Sequence, residues 1–215
     1  VARQELHAEH VNTKGQPAYR AYSELNERRD SPFAPGQLCS PFLPIVVALD
    51  FNVNPMCWTI GQYSGRRAYW FDEMNVPDTN TNECAPILVE KLLSLGIPKT
   101  RLHVMLLGDA TGKSRRTSAT ESDYAIIGIA LDLAGIRWEN RTPESNPPVK
   151  SRVNNMNAHF RAADGTVRQW LHPENCTNLR RDCLNVVWKD NGVLDQTSDK
   201  TLTHASDSIG YVLEA

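Results

Sequence analysis

The spacing of apolar positions changes several times along the chain, and each change indicates a new element. The continuous apolar run Ile45–Leu49 is typical of a strand covered on both faces. Residues 57–63 and 66–73 follow as two further strands, which Ser64-Gly65 joins into an antiparallel hairpin. A second continuous apolar run, Leu102–Leu107, predicts another buried strand.

Helical spacing separates these strands. Apolar residues between Ile87 and Leu95 recur every three or four positions, and Gly96 supplies a stop signal. Ser122 is expected to cap a second helix that runs to Ala134, ahead of a short strand at residues 136–138. This order of elements predicts an α/β fold with a mixed central sheet and flanking helices.

The C-terminal third predicts three more helices and a second hairpin. Two helices are expected over Val149–Phe160 and Asn175–Trp188, and the last begins near Thr203 and runs to the C-terminus. Between the first two, Asp164-Gly165 predicts a hairpin turn, with residues 167–171 as its better strand.

The first 44 residues lack a sustained period, apart from a possible short helix near residues 18–28. We therefore expect residues 1–44 to be a linker or docking segment and residues 45–215 to form the domain. A chain of 215 residues with 40% hydrophobic residues is long enough to bury a core.

Charge and cysteine content narrow the class of protein. The formal charge of −2 does not indicate a polyanion partner, although a cluster of acidic metal ligands lowers net charge without repelling a substrate once ions are bound. The five cysteines form no CxxC pair, and their odd number favours reduced thiols. Neither a signal peptide nor an apolar stretch of about 20 residues is present, so we expect a soluble protein that is neither secreted nor in a membrane.

Three aspartates occupy positions that suit metal chemistry. Asp50 follows the first continuous run, Asp109 follows the second, and Asp207 lies in the first turns of the last helix. Carboxylates are hard oxygen ligands, and a three-aspartate site with open positions suits Mg²⁺ or Mn²⁺ better than zinc. Two such ions roughly 3.5–4 Å apart can activate a water and neutralise the charge that grows on a phosphate. The pattern therefore indicates a metal-dependent nuclease, although each aspartate alone could cap a turn or complement a helix dipole.

The segments around these aspartates also resemble a known family. They are similar to the three metal-binding motifs of the large terminase subunit of tailed bacteriophages, in the order and separation found in its C-terminal nuclease domain: Leu49-Asp50-Phe51-Asn52-Val53-Asn54-Pro55-Met56, Gly108-Asp109-Ala110-Thr111-Gly112-Lys113-Ser114 and Leu202-Thr203-His204-Ala205-Ser206-Asp207-Ser208-Ile209-Gly210-Tyr211. The resemblance extends from about Ile45 to the end of the chain.

The resemblance implies a ribonuclease-H-like endonuclease that cuts concatemeric viral double-stranded DNA during packaging, with two Mg²⁺ or Mn²⁺ ions. It also implies that Asp50 bridges the ions while Asp109 and Asp207 each complete one side. The family's full-length subunit carries an N-terminal ATPase for which residues 1–44 have no room, so these residues would connect to that missing domain. Portal protein and the small terminase subunit would be partners of the full-length protein, in the cytoplasm of the infected host.

Other candidates surround the aspartates. His204 precedes Asp207 by three positions and could tune a metal ligand or orient water. Three cations after Asp109 could contact backbone phosphates: Lys113, Arg115 and Arg116. A second possible basic track comprises Lys150, Arg152, Arg161 and Arg168.

A nucleotide-binding loop is not favoured, since the stretch from Gly108 to Ser114 is one residue short of G-x-x-x-x-G-K-[ST]. Two alternative functions stay open at this point. The chain could be a resolvase or hybrid nuclease on the same scaffold, or a non-catalytic docking module of the packaging motor.

Overall fold

The structure is a computed structural model that describes residues 15–114, 121–190, 192–195 and 199–213. Six strands form one sheet across these residues: β1 Ile45–Asp50, β2 Met56–Ser64, β3 Arg67–Val76, β4 His103–Gly108, β5 Arg137–Asn140 and β6 Gln169–Leu171. Their spatial order is β5-β4-β1-β2-β3-β6. Only β2 runs against its neighbours, so the expected mixed sheet is confirmed.

Within the described residues, five α-helices flank the sheet: α1 Thr81–Ser94, α2 Asp123–Leu133, α3 Val149–Phe160, α4 Thr177–Asn185 and α5 His204–Val212. The starts of α1 and α2 follow local capping chemistry. The Asn80 side chain accepts hydrogen bonds from Asn82 N and Glu83 N of α1, and the Ser122 hydroxyl accepts one from Ala125 N at 3.3 Å.

The two faces of the sheet bury separate apolar clusters because successive strand residues point to opposite sides. Ile45, Val47 and Leu49 of β1 pack on the side covered by α1 and α2. Val46 and Ala48 pack on the side covered by α3, α4 and α5. A strand that is apolar at every position is therefore placed at the centre of three layers.

Some expectations from the sequence are wrong in detail. The turn at Asp164-Gly165 does not open a hairpin, because β6 pairs in parallel with β3, a strand some hundred residues earlier. The helix that begins near residue 175 ends at Asn185, and Trp188 instead forms an isolated β-bridge with Leu194. Near residues 18–28 the helix is limited to a single 3-10 turn, Glu24–Asn26.

The described part of the N-terminal segment packs onto the domain. Ala18 and Tyr19 are buried in the cluster beneath α3, α4 and α5, and Pro17 bridges to Val187. Residues 15–44 are thus part of the folded unit. That the segment connects to a further domain stays a prediction.

No helix within the described ranges has both the length and the apolar character that a bilayer span requires.

Candidate metal centre

The sheet register brings Asp50 and Asp109 to the same edge. β1 and β4 are parallel neighbours with Leu49 opposite Gly108, so both aspartates follow at the carboxyl ends of adjacent strands. Asp109 N donates to Leu49 O at 2.9 Å, which continues the pairing into the site. A Cβ on Gly108 would lie 2.2 Å from Leu49 O, so this close approach requires glycine.

Helix α5 carries Asp207 to the same edge. The helix packs against β1, β2 and β4. It is anchored by polar contacts: the Ser208 and Thr59 hydroxyls lie 2.9 Å apart, and Ser206 N donates to Asp182 Oδ2 at 2.9 Å. The small side chain of Ser208 lets the helix backbone lie close to β2.

Asp50 is buried, with 4% of the residue exposed, and its neighbours are polar. Its Oδ2 lies 3.1 Å from His204 Nδ1 and accepts a hydrogen bond from the Asn52 amide. His204 Nε2 donates to Lys200 O at 3.1 Å. Burial raises the pKa of the Asp50 carboxyl. The hydrogen bonds from His204 and Asn52 oppose that rise, and the nearby negative charge of Asp109 adds to it. The hydrogen bond to Asp50 in turn raises the pKa of His204.

Asp207 is paired with a buried arginine. Arg152 Nη1 of α3 lies 3.1 Å from Asp207 Oδ1, and its guanidinium stacks 4.2 Å from the Tyr211 ring centroid. Burial raises the pKa of Asp207 to about 7, Arg152 opposes that rise, and the Asp50 charge adds to it. Asp50 is therefore close enough to Asp109 and to Asp207 for its charge to interact with theirs.

Asp109 is half-buried and caps the 3-10 turn Ala110–Lys113. Its Oδ1 accepts hydrogen bonds from Thr111 N at 2.8 Å and from Asn146 Nδ2 at 2.7 Å. The Tyr124 hydroxyl donates to Asp109 O at 3.0 Å, which fixes the backbone at the same residue.

Each of the three carboxylates is engaged by its own protein donor: Asp50 by Asn52, Asp109 by Asn146 and Asp207 by Arg152. Within the described residues, no three His, Cys, Asp or Glu side chains are already gathered tightly enough to hold an ion. The donor set nevertheless fits a hard divalent cation, since it consists of carboxylate oxygens whose negative charges are partly buried and mutually repulsive. Asp50, Asp109 and Asp207 are the residues that would hold such an ion.

The basic residues predicted to contact DNA differ in their burial and in their ion pairs. Lys113 forms an ion pair with Glu144 at 2.8 Å, at the rim of the site. Arg115 and Arg116 lie outside the described residues. Arg152 does not belong to a surface track, because it is buried against Asp207 with only 8% of its side chain exposed.

Sequence reasoning did not single out Asn146 or the inward position of Arg152. Asn146 lies in the loop between β5 and α3, and no periodicity marks it. Arg152 does carry a signal in the sequence: at helical spacing it shares a face of α3 with the apolar residues Val153 and Met156, which are both buried.

Comparison with known proteins adds a fold-level result. No family model matches the chain, and no curated protein matches it by sequence. Among solved structures, the chain is similar to the large terminase of a thermophilic bacteriophage, with a TM-score of 0.61 and 15% identity over 95% of this chain. The chain spans 46% of the length of that terminase.

Two nuclease domains are matched over almost their full length. One is the large terminase nuclease domain of bacteriophage SPP1 with bound Mn, with a TM-score of 0.50 and 20% identity over 88% of this chain and 96% of that one. The other is a large terminase nuclease from a second thermophilic phage with bound magnesium, with a TM-score of 0.53 and 11% identity over 95% of this chain and 98% of that one. At these identities the likeness establishes the fold, which is ribonuclease-H-like as expected.

Proposed function

We propose that the chain is the nuclease part of a large terminase subunit of a tailed bacteriophage. Its activity would be metal-dependent hydrolysis of concatemeric double-stranded viral DNA during genome packaging. One observation supports this proposal above the others: on a fold shared with terminase nucleases, Asp50 and Asp109 follow the carboxyl ends of the adjacent parallel strands β1 and β4, and the charge of Asp50 also acts on Asp207 of α5. Similar nuclease domains have been solved with Mn or Mg bound.

The residues have distinct roles in the proposed reaction. Two Mg²⁺ or Mn²⁺ ions, when bound, would supply water activation and neutralisation of charge on the scissile phosphate. Asp50, buried at the end of β1, would hold both ions, while Asp109 and Asp207 would each hold one. His204 would keep the Asp50 carboxylate ionised and oriented, since its Nδ1 lies 3.1 Å from Asp50 Oδ2. Lys113, Arg115 and Arg116 would contact phosphates of the DNA backbone without reading sequence.

The test is cleavage of supercoiled plasmid with Mn²⁺ or Mg²⁺ by the wild-type chain and three variants, Asp50→Asn, Asp109→Asn and Asp207→Asn. Each substitution removes a negative charge from the ion-binding set at almost constant volume. We expect each variant to lose cleavage by a factor of about 100 or more, by analogy with the loss of one strong charge-stabilising group.

Asp164→Asn is the matched control, because Asp164 is exposed and its oxygen accepts a hydrogen bond from Thr166 N at 2.9 Å that asparagine can also accept. This control should cleave as the wild type does. Full plasmid cleavage by Asp50→Asn would contradict the proposal and favour a docking module. Preferential cleavage of branched DNA or an RNA–DNA hybrid would instead favour the resolvase or hybrid-nuclease alternative.

In the full-length protein, partners would include portal protein and the small terminase subunit. Residues 1–44 would connect the nuclease to an ATPase domain, in line with a chain that spans less than half of the phage terminase it resembles.

A further inference from the structure

Asn146 forms one hydrogen bond with Asp109 and a second with Ala110, the next residue in the chain. Its Nδ2 donates to Asp109 Oδ1 at 2.7 Å, and its Oδ1 accepts from Ala110 N at 2.8 Å. One amide group therefore holds both the side chain of Asp109 and the backbone that follows it. No neighbour of Asp50 or Asp207 in the described residues makes this paired contact to side chain and next amide.

These contacts leave the two carboxylate oxygens of Asp109 in different states. Oδ1 accepts two N–H donors, Thr111 N and Asn146 Nδ2. A carboxylate oxygen has about two lone-pair sites, so Oδ1 is fully engaged. Oδ2 accepts no hydrogen bond from any described residue. The remaining oxygen is the one that can bind a cation.

The loop that carries Asn146 is itself held in place. Arg141 N donates to Leu106 O at 2.9 Å. The pairing of β5 with β4 therefore places the start of the loop beside the end of β4. Pro147 follows Asn146 and favours extended backbone there, which lowers the backbone entropy lost when this part of the loop is ordered.

We propose that Asn146 is a positioning residue for the metal centre, which orients Asp109 so that Oδ2 alone binds the ion. This inference rests on the proposed function, because it assumes that Asp109 is a metal ligand. Partners that orient a ligand typically change metal affinity by about 10–100-fold when they are removed.

The experiment measures Mn²⁺ binding by calorimetry without DNA, in the wild-type chain and in Asn146→Ala. Glu144→Ala is the matched control, since Glu144 lies in the same loop and pairs with Lys113 of the same 3-10 turn, but does not touch Asp109. We expect Asn146→Ala to weaken Mn²⁺ binding by about 10-fold or more, and Glu144→Ala to bind as the wild type does. Because Asn146 is exposed, the melting temperature of the Asn146→Ala variant in EDTA should stay close to the wild-type value.

Asp50→Asn is included to separate the positioning role of Asn146 from the proposed nuclease function. If Asp50→Asn loses Mn²⁺ binding while Asn146→Ala binds as tightly as the wild type, the positioning role is wrong and the proposed function stands. Equal weakening in Asn146→Ala and Glu144→Ala would also overturn the inference, because the effect would then belong to loop order. Absence of Mn²⁺ binding in the wild type would overturn both claims.

Discussion

Arg152 holds a positive charge where almost no solvent reaches it. Its nearest negative group is Asp207, and its Nε has no hydrogen-bond partner in the described residues. A buried charge of this kind is retained only where an opposite charge compensates it. We interpret Arg152 as the counter-charge of Asp207 in the metal-free protein.

Replacing Arg152 with methionine should therefore destabilise the metal-free protein and increase its response to metal. The expected loss is about 2 kcal/mol, below the usual range for a fully buried pair because the Asp207 side chain is 21% exposed. Mn²⁺ should raise the melting temperature of Arg152→Met more than that of the wild type, since the ion supplies the missing positive charge. Thermal unfolding in EDTA and in Mn²⁺ measures both effects.

Arg137→Met is the control for this measurement, because Arg137 is exposed on β5. It should unfold like the wild type in both buffers. A smaller Mn²⁺ shift in Arg152→Met than in the wild type would mean that Arg152 supports ion binding instead of replacing the ion.

The buried carboxyl of Asp182 should make the free energy of unfolding depend on pH. Its Oδ2 accepts from Ser206 N, its Oδ1 has no partner in the described residues, and burial raises its pKa to about 6. Because the folded-state pKa is raised, the stabilising contribution is fully present below pH 3.8 and is lost as the pH rises through about 6. A shift of this size corresponds to about 3 kcal/mol.

Asp182→Asn removes this titration and keeps an oxygen that can accept from Ser206 N. We expect the variant and the wild type to have similar free energies of unfolding at pH 4, and the variant to become more stable by up to about 3 kcal/mol at pH 8. Urea unfolding across this range measures the difference, in which other titrating groups cancel. A constant difference across the range would refute the assignment to Asp182.

At the scale of elements, the junction of β1 and β4 decides where Asp109 lies. Gly108 has φ 151° and approaches the Leu49 backbone, so Gly108→Ala must push the strands apart or shift the register. We expect a loss of more than about 2 kcal/mol in stability, beyond the ordinary cost of alanine at a positive φ. Plasmid cleavage should fall as well, because Asp109 moves with its strand.

Gly96→Ala separates the cost of placing alanine at a positive φ from the cost of the close approach to Leu49. Gly96 also has a positive φ, of 69°, but a Cβ there would meet no atom within 4 Å. Its substitution should cost about 1–2 kcal/mol and leave cleavage unchanged. If the two variants behaved alike, the close approach of Gly108 to Leu49 would not control the site.

The sequence predicts those elements whose signals are local. Continuous apolar runs identify β1 and β4, and parallel pairing then predicts that Asp50 and Asp109 share an edge. The turn chemistry at Asp164-Gly165 is also local, yet the partner of β6 is the distant β3, which no turn signal encodes. For the same reason the sequence does not reveal the neighbours of Arg152 and Asn146, which tertiary packing alone defines.

At the scale of the whole molecule, the N-terminal segment is tied to the C-terminal half. Asn26 is fully buried, and its Nδ2 donates to Phe160 O and to Gln169 O, both at 2.9 Å. Its Oδ1 accepts from Ser23 N at 2.9 Å. Phe160 ends α3 and Gln169 begins β6, so one side chain joins three parts of the fold.

Asn26→Ala should consequently destabilise the domain as a core substitution would. The change leaves two buried carbonyls without their donor, at an expected cost of about 2 kcal/mol in the free energy of unfolding. Its neighbour provides the matched control: Leu25 is 63% exposed, so Leu25→Ala should change stability by less than about 0.5 kcal/mol although it removes more apolar surface. Urea unfolding of both variants measures the contrast. A linker loosely attached to the domain would show no loss in either variant, whereas a segment that belongs to the folded unit loses stability only when the buried residue is changed.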